Sequence, residues 1–268
     1  MVRFFSAIIL ICCLSTSLIA QSYELGAWAG VSNYFGDLNP NFSVARLGPA
    51  GGILGRVNVN PRVSFKLSAN YANVGFDDAL SNNPFQQARN LSFQSNIFEG
   101  VGQVEFNFLP FVSSAYDKFF SPYLFVGGGV FHFNPRTRFD DEWVQLQPLG
   151  TEGQGRNEEY TLTQPILAYG GGVKIALNYA WSINIEASAR RLFTDYLDDV
   201  STTYADAQTL ENLRGPLAVQ LADRSWEVVE APIGEPGRQR GDPLSNDAYM
   251  TFGVSLIYHI GGIKCPDF

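Results

Sequence analysis

The sequence predicts an all-β fold, an eight-stranded antiparallel up-and-down transmembrane β-barrel of the outer-membrane type. Three observations lead there. The composition is rich in Phe (21), Tyr (12) and Gly (26) but holds only 18 Lys plus Arg. Apolar and polar residues alternate with a period of two, and the connections between such segments are long and short by turns. Aromatic residues and glycine favour strands and tight turns over helices. A period of two sends successive side chains to opposite faces of a strand. Connections that alternate in length suit a barrel with short periplasmic turns and long outer loops.

Eight segments carry the alternation, at about 22–36, 48–59, 62–75, 94–110, 121–134, 161–177, 181–195 and 247–260. In the third, Val63, Phe65, Leu67, Ala69 and Tyr71 oppose Arg62, Ser64, Lys66, Ser68 and Asn70. In the seventh, Trp181, Ile183, Ile185, Ala187 and Ala189 oppose Ser182, Asn184, Glu186, Ser188 and Arg190. The last repeats the design, with Met250, Phe252, Val254, Leu256, Tyr258 and Ile260 on one side. Most segments have the length that crosses a bilayer at a tilt. The short connections read "NPR", "FVSSAYDKFF" and "NYA", and the longest loop is 196–246. A soluble β-sandwich would also alternate apolar and polar residues, but it predicts no ordering of connection lengths. Tyr23, Trp28 and Tyr34 on the first strand, and Phe98, Phe106 and Phe108 on the fourth, read as aromatic belts.

The N-terminus "MVRFFSAIILICCLSTSLIAQ" has a basic residue, an apolar run and a small residue, Ala20, which is the pattern of a cleaved signal peptide over 1–20. The mature chain, 21–268, is then a single barrel exported to the outer membrane with both ends periplasmic. Cys12 and Cys13 leave with the signal, and Cys265 alone cannot form an intramolecular disulfide or a cysteine-built zinc site.

With the apolar faces on lipid, the inward charges are Glu24, Arg56, Lys66, Glu99, Glu105, Lys174, Glu186 and Arg190. An eight-stranded barrel is just wide enough to be filled by side chains, and a confined charge is costly unless paired. A salt-bridged plug without an open pore is expected, the alternative being that some of these charges sit in water at the barrel ends. The net charge of −8 matches the acid excess of the loops 135–160 and 196–246. A net negative chain without a Lys/Arg cluster does not suit a nucleic-acid partner.

No constellation marks a catalyst. His132 and His259 fall at opposite ends of the barrel, so a shared metal site or paired-histidine mechanism is not expected. His132 remains the one candidate base for a lipid-modifying activity. The glycine triplets 127–129 and 170–172 lie inside strands, where glycine permits curvature or makes room for a large neighbour. Asp195, Asp198 and Asp199 in "FTDYLDDVSTTY" do not have EF-hand spacing. They read as a solvated acidic rim, with weak calcium binding as the alternative. No cofactor, resident metal, catalytic residue or small-molecule substrate is expected.

"GDLNPN" at 36–41, "RNLSFQS" at 89–95, "PYLFVGGGVFHFNP" at 122–135, "LQPLGTEGQG" at 146–155 and "FTDYLDDVSTTY" at 193–204 resemble the PorG family. These are outer-membrane barrels of Bacteroidetes associated with the type IX secretion system. The resemblance implies an eight-stranded barrel that assembles or anchors the secretion machinery, contacts its periplasmic ring of PorK- and PorN-like proteins, and is not an enzyme. It also implies that the aspartates of "FTDYLDDVSTTY" brace the base of the long loop, by accepting bonds from backbone amides. The alternative is an OmpA/OmpX-like surface barrel whose acidic outer loops bind cations, glycans or protein. The segment 205–246 resembles nothing in that family.

Overall fold

The computed structural model describes residues 22–113 and 117–260. The expected signal peptide and the three cysteines lie outside the described residues. Ten strands are seen among them: β1 (Ser22–Phe35), β2 (Gly48–Asn58), β3 (Val63–Asp77), β4 (Ser92–Asn107), β5 (Phe120–His132), β6 (Pro135–Phe139), β7 (Glu142–Gln145), β8 (Thr163–Ala176), β9 (Trp181–Leu192) and β10 (Ala248–Ile260). Short helices α1 (Pro84–Arg89), α2 (Ala207–Arg214) and α3 (Pro216–Ala222) lie in the loops.

Eight of the strands close a barrel. They pair in the order β3, β2, β1, β10, β9, β8, β5, β4, and β4 returns to β3, every pairing antiparallel. Closure removes the two unpaired sheet edges that an open sheet would carry. The eight-stranded expectation therefore holds, and each barrel strand lies close to its expected span. The wall is apolar on its outer side, where Leu25, Ile53, Leu67, Phe98, Leu124 and Phe252 stand exposed.

Both short turns between β2 and β3 and between β8 and β9 use one device. The Asn60 side chain accepts from the amides of Arg62 and Val63. Asn178 accepts from those of Ala180 and Trp181. An Asn side chain that bonds the backbone two residues on imitates a turn and fixes its direction.

Several sequence expectations need correction. The belt reading fails for Trp28 and Tyr34: period two places them inward, where Trp28 Nε1 donates to Asn70 Oδ1 at 2.8 Å and Tyr34 is fully buried. The segment 135–160 is not plain loop, because β6 and β7 form a hairpin across Asp140 and Asp141, both at positive φ (48° and 66°). Two left-handed residues are what a tight two-residue hairpin turn demands, and Asp tolerates them. The hairpin continues along β4 where β5 ends, Ser95 pairing with Pro135.

The long loops fold into a cap over one end of the barrel. Its apolar core joins strand ends (Phe76, Phe93, Phe131, Leu192, Tyr249) to loop residues (Leu38, Phe133, Leu197, Val200, Leu221). The segment 205–246 is part of this body. Asp206 caps α2 by accepting from the Thr209 amide, Pro216 opens α3, and Leu210, Ala218 and Ala222 bury against each other.

Candidate functional site

Two clusters of polar side chains stand out, one in the lumen and one where the cap meets the barrel. In the lumen, the eight charges read from the sequence lie together. Glu105 is fully buried and central: Arg56 Nε lies 2.9 Å from it, Lys174 Nζ 2.6 Å and Lys66 Nζ 3.5 Å. Arg56 also holds Glu24 at 2.5 Å, Lys66 holds Glu186 at 2.6 Å, and Arg190 holds Glu99 at 2.7 Å. Neutral donors complete the set: Tyr123 donates to Glu186 (2.6 Å), Tyr249 to Glu99 (2.5 Å), and Asn70 to Glu99 (2.8 Å).

Lys66–Glu186, Arg190–Glu99 and Tyr249–Glu99 run across the lumen, while Arg56–Glu24 and Asn70–Glu99 join neighbouring strands along its wall. Period two points every second side chain inward, and the lumen is narrow enough for opposite strands to touch. The glycine triplet of β8 makes the space, since a Cβ on Gly172 would stand 3.0 Å from the Tyr123 ring and one on Gly170 2.8 Å from that of Phe125. Acids and bases balance, so each charge meets a partner when taken out of water, the condition under which a buried charge is tolerated.

The second cluster corrects the reading of Asp195, Asp198 and Asp199 as a solvated rim. Asp198 and Asp199 are each only 1 % exposed, and Asp195 is buried too. Asp198 accepts from the Val200 amide at 2.9 Å and from the Tyr34 hydroxyl. Asp199, held in a left-handed conformation (φ 68°), accepts from the Thr151 hydroxyl at 2.6 Å and the Tyr160 hydroxyl at 2.7 Å, with Arg240 at 3.7 Å. It thus takes side-chain hydroxyls rather than amides. Burial pushes its carboxyl up to about 6 against the pull of Arg240. Asp195 lies near Asp37, Glu152 and Asp242, and burial pushes its carboxyl up to about 8. Asp37, also raised to about 6 by burial, accepts from the Asp242 amide at 3.0 Å.

The quoted sequence motifs converge here. From "GDLNPN", Gly36 admits Asp247 and Tyr34, because a Cβ at Gly36 would collide with both side chains. Asn39 donates to the Tyr34 carbonyl at 2.7 Å. From "LQPLGTEGQG", Glu152 accepts from the Ser201 and Thr202 amides at 2.8 and 3.1 Å and pairs with Arg240 at 3.0 Å. From "RNLSFQS", Arg89 pairs with Asp78 at 2.7 Å and donates to the Arg240 carbonyl at 2.8 Å. Arg240, Asp78 and Asp247 escaped the sequence reading, for they carry no periodic or spacing signal.

Neither histidine belongs to this cluster. His132 stands exposed on the outer wall, 3.1 Å from the Thr163 hydroxyl. His259 lies at the other end, near Glu24 (3.3 Å) and Ser182 (3.0 Å). Among the described residues no group of three His, Cys, Asp or Glu side chains is placed to hold a metal ion.

The fold resembles solved outer-membrane proteins at low sequence identity. Neisserial surface protein A shares 9 % identity, with 89 % of this chain and 98 % of that one covered at a TM-score of 0.44. The attachment invasion locus protein Ail of Yersinia pestis shares 9 %, covering 90 % and 97 % at 0.42. OprG of Pseudomonas aeruginosa shares 10 %, covering 91 % and 97 % at 0.42. No curated protein matches the chain. A family model described as a domain of unknown function, DUF6089, matches residues 2–228, and the chain belongs to that family.

Proposed function

We propose that this chain is a non-enzymatic outer-membrane barrel that anchors or assembles the type IX protein secretion machinery, with both mature ends in the periplasm. The observation that carries the anchoring role is the filled lumen: ion pairs bridge it from wall to wall, which suits a support and not a conduit. The apolar outer wall fits a lipid neighbour, since a closed barrel satisfies its backbone internally. The secretion role rests on the PorG-like motifs, four of which meet at one structural junction instead of lying scattered over the surface.

The turn 111–120 and the tail "GGIKCPDF", which lies outside the described residues, are the candidate contacts for PorK- and PorN-like ring proteins, the turn being the largest connection at the end away from the cap. Phe119 stands exposed there while Phe111 packs beside His259. Replacing that turn by a short Gly-Ser linker should reduce co-purification of the ring proteins, and a deletion strain should stop exporting proteins with type IX C-terminal signals. Unchanged recovery of the ring and unchanged export would remove the assignment.

A second reading, a surface barrel that binds glycan or protein, is favoured by one observation. The cap is a folded body with Trp143 and Trp226 half exposed on it, and a rigid aromatic at a surface is a common binding anchor. Substituting both by Ala would abolish such binding and leave export intact.

A further inference from the structure

The Tyr34 hydroxyl touches two carboxylates at once, Asp198 Oδ2 and, at 3.0 Å, Asp247 Oδ1. All three side chains are essentially without solvent exposure. A phenol carries one proton and can donate to one of them. It goes to the nearer one, Asp198, which also has Arg89 facing it. Asp198 Oδ1 already accepts from the Val200 amide, so with the Tyr34 proton both its oxygens are acceptors, as an ionised carboxylate requires. Asp247 Oδ2 accepts from the Leu197 amide at 2.8 Å. Its Oδ1 faces the lone pair of a hydroxyl whose proton is spent, and two bare oxygens at that distance need a proton between them.

We infer that Asp247 carries a proton on Oδ1, and that Asp247, Tyr34 and Asp198 form a one-proton latch fastening the folded cap to the barrel rim. The hydrogen-bond chain then runs from Asp247 to Tyr34 to Asp198, and every donor and acceptor in it is matched. It ties three segments: the end of β1, the start of the loop 193–247, and the residue before β10. Burial drives both carboxyls up, each raised further by nearby acids, Asp37 for Asp198 and Asp198 with Asp195 for Asp247. The facing cation is Arg89, already engaged by Asp78. A second negative charge in this pocket has no base to meet it, so loss of the proton at high pH opens the latch.

An amide at either acid leaves a matched chain that carries one negative charge and no acid proton. At 247, Asn can donate to Tyr34 and accept from the Leu197 amide, reproducing the protonated acid. At 198, Asn can keep the Val200 bond and donate its NH2 to the Tyr34 oxygen, which turns the Tyr34 proton onto Asp247 and leaves that acid ionised. In the full-length barrel in detergent, the protection factors of the Leu197 and Val200 amides against hydrogen exchange should fall as pH rises in the wild type. Asp247→Asn should keep its protection at high pH. Asp198→Asn, whose chain holds no acid proton to lose, should likewise keep its protection as pH rises. Infrared spectra at neutral pH should show a protonated-carboxyl band in the wild type that is weaker in Asp247→Asn, a comparison that stands even where Asp198→Asn does not fold. Loss of protection with rising pH in both variants, an unchanged carboxyl band in Asp247→Asn, or protection in the wild type that follows added calcium and not pH, would each overturn the latch.

Discussion

Lys66 on β3 and Glu186 on β9 meet at 2.6 Å, although four pairing steps separate their strands in either direction around the barrel. The two side chains therefore span its diameter. Tyr249 of β10 and Glu99 of β4 do the same at 2.5 Å. A lumen bridged in this way leaves no continuous water column, and the purified barrel in a planar bilayer should show no steady conductance. Sustained channel-sized current steps would contradict the filled lumen.

Glu105 is the hinge of that network, with Arg56, Lys66 and Lys174 all against one carboxylate. Glu105→Gln leaves three buried cations with too little negative charge, and breaking a buried pair from one side costs about 3–5 kcal/mol. The urea midpoint of unfolding in detergent should fall accordingly. Adding Lys174→Met should restore part of the loss, because one excess cation goes with it.

The cap should weaken as pH rises. Asp37 and Asp199 titrate at about 6 and Asp195 at about 8 in the folded chain, against about 4 for an unfolded Asp. Between about pH 4 and 6 the unfolded chain has released these protons and the folded cap still holds them. By linkage, stability then declines with rising pH, and more slowly from 6 to 8, where of these three only Asp195 retains its proton. Limited proteolysis of the loop 193–247 across pH 5 to 9 reads this directly, and a cap that grows more resistant at higher pH would contradict it.

Asp198→Asn together with Asp199→Asn should destabilise the cap even though it removes two charges from a crowded acidic site. Thr151, Tyr160, the Val200 amide and Arg240 all point at these oxygens, and each buried donor left unmatched costs about 1–3 kcal/mol. A lower melting temperature, with strand content unchanged by circular dichroism, is the expected result.

Leu67 projects from the middle of β3, 70 % exposed, opposite Gly55 and Gly102 on the neighbouring strands. If that face meets hydrocarbon, Leu67→Arg should destabilise by about 2–4 kcal/mol at mid-depth in lipid vesicles. The same change on a water-facing wall would be close to neutral.

The barrel was legible because each strand repeats one rule. Two-residue alternation in 63–71 or 181–190 needs no distant partner to be recognised, and it identifies the inward Glu and Lys at once. The turns at Asn60 and Asn178 are equally local. Asp198 and Asp199 were misread because burial is not a local property: a run of Asp beside Thr and Ser has the same composition on a solvated rim as in a folded junction. Trp28 and Tyr34 were misplaced for a different reason, as the alternation itself points them inward and an expectation of aromatic belts overrode it.

The sequence by itself determined the wall of this protein, its strand count, the alternation of short turns and long loops, and the balanced charges inside, since all follow from side chains alternating along extended segments. Only the tertiary structure decided which acid meets which base across the lumen, and that the long loops close into a cap. It alone decided that Gly36, Glu152, Asp198, Asp199, Arg240 and Asp247, spread over 212 positions of chain, share one buried junction. The reason is physical: a pairing between opposite strands, or between a loop and the rim beneath it, depends on barrel closure and on cap packing. Neither leaves a periodic trace in the residues that take part.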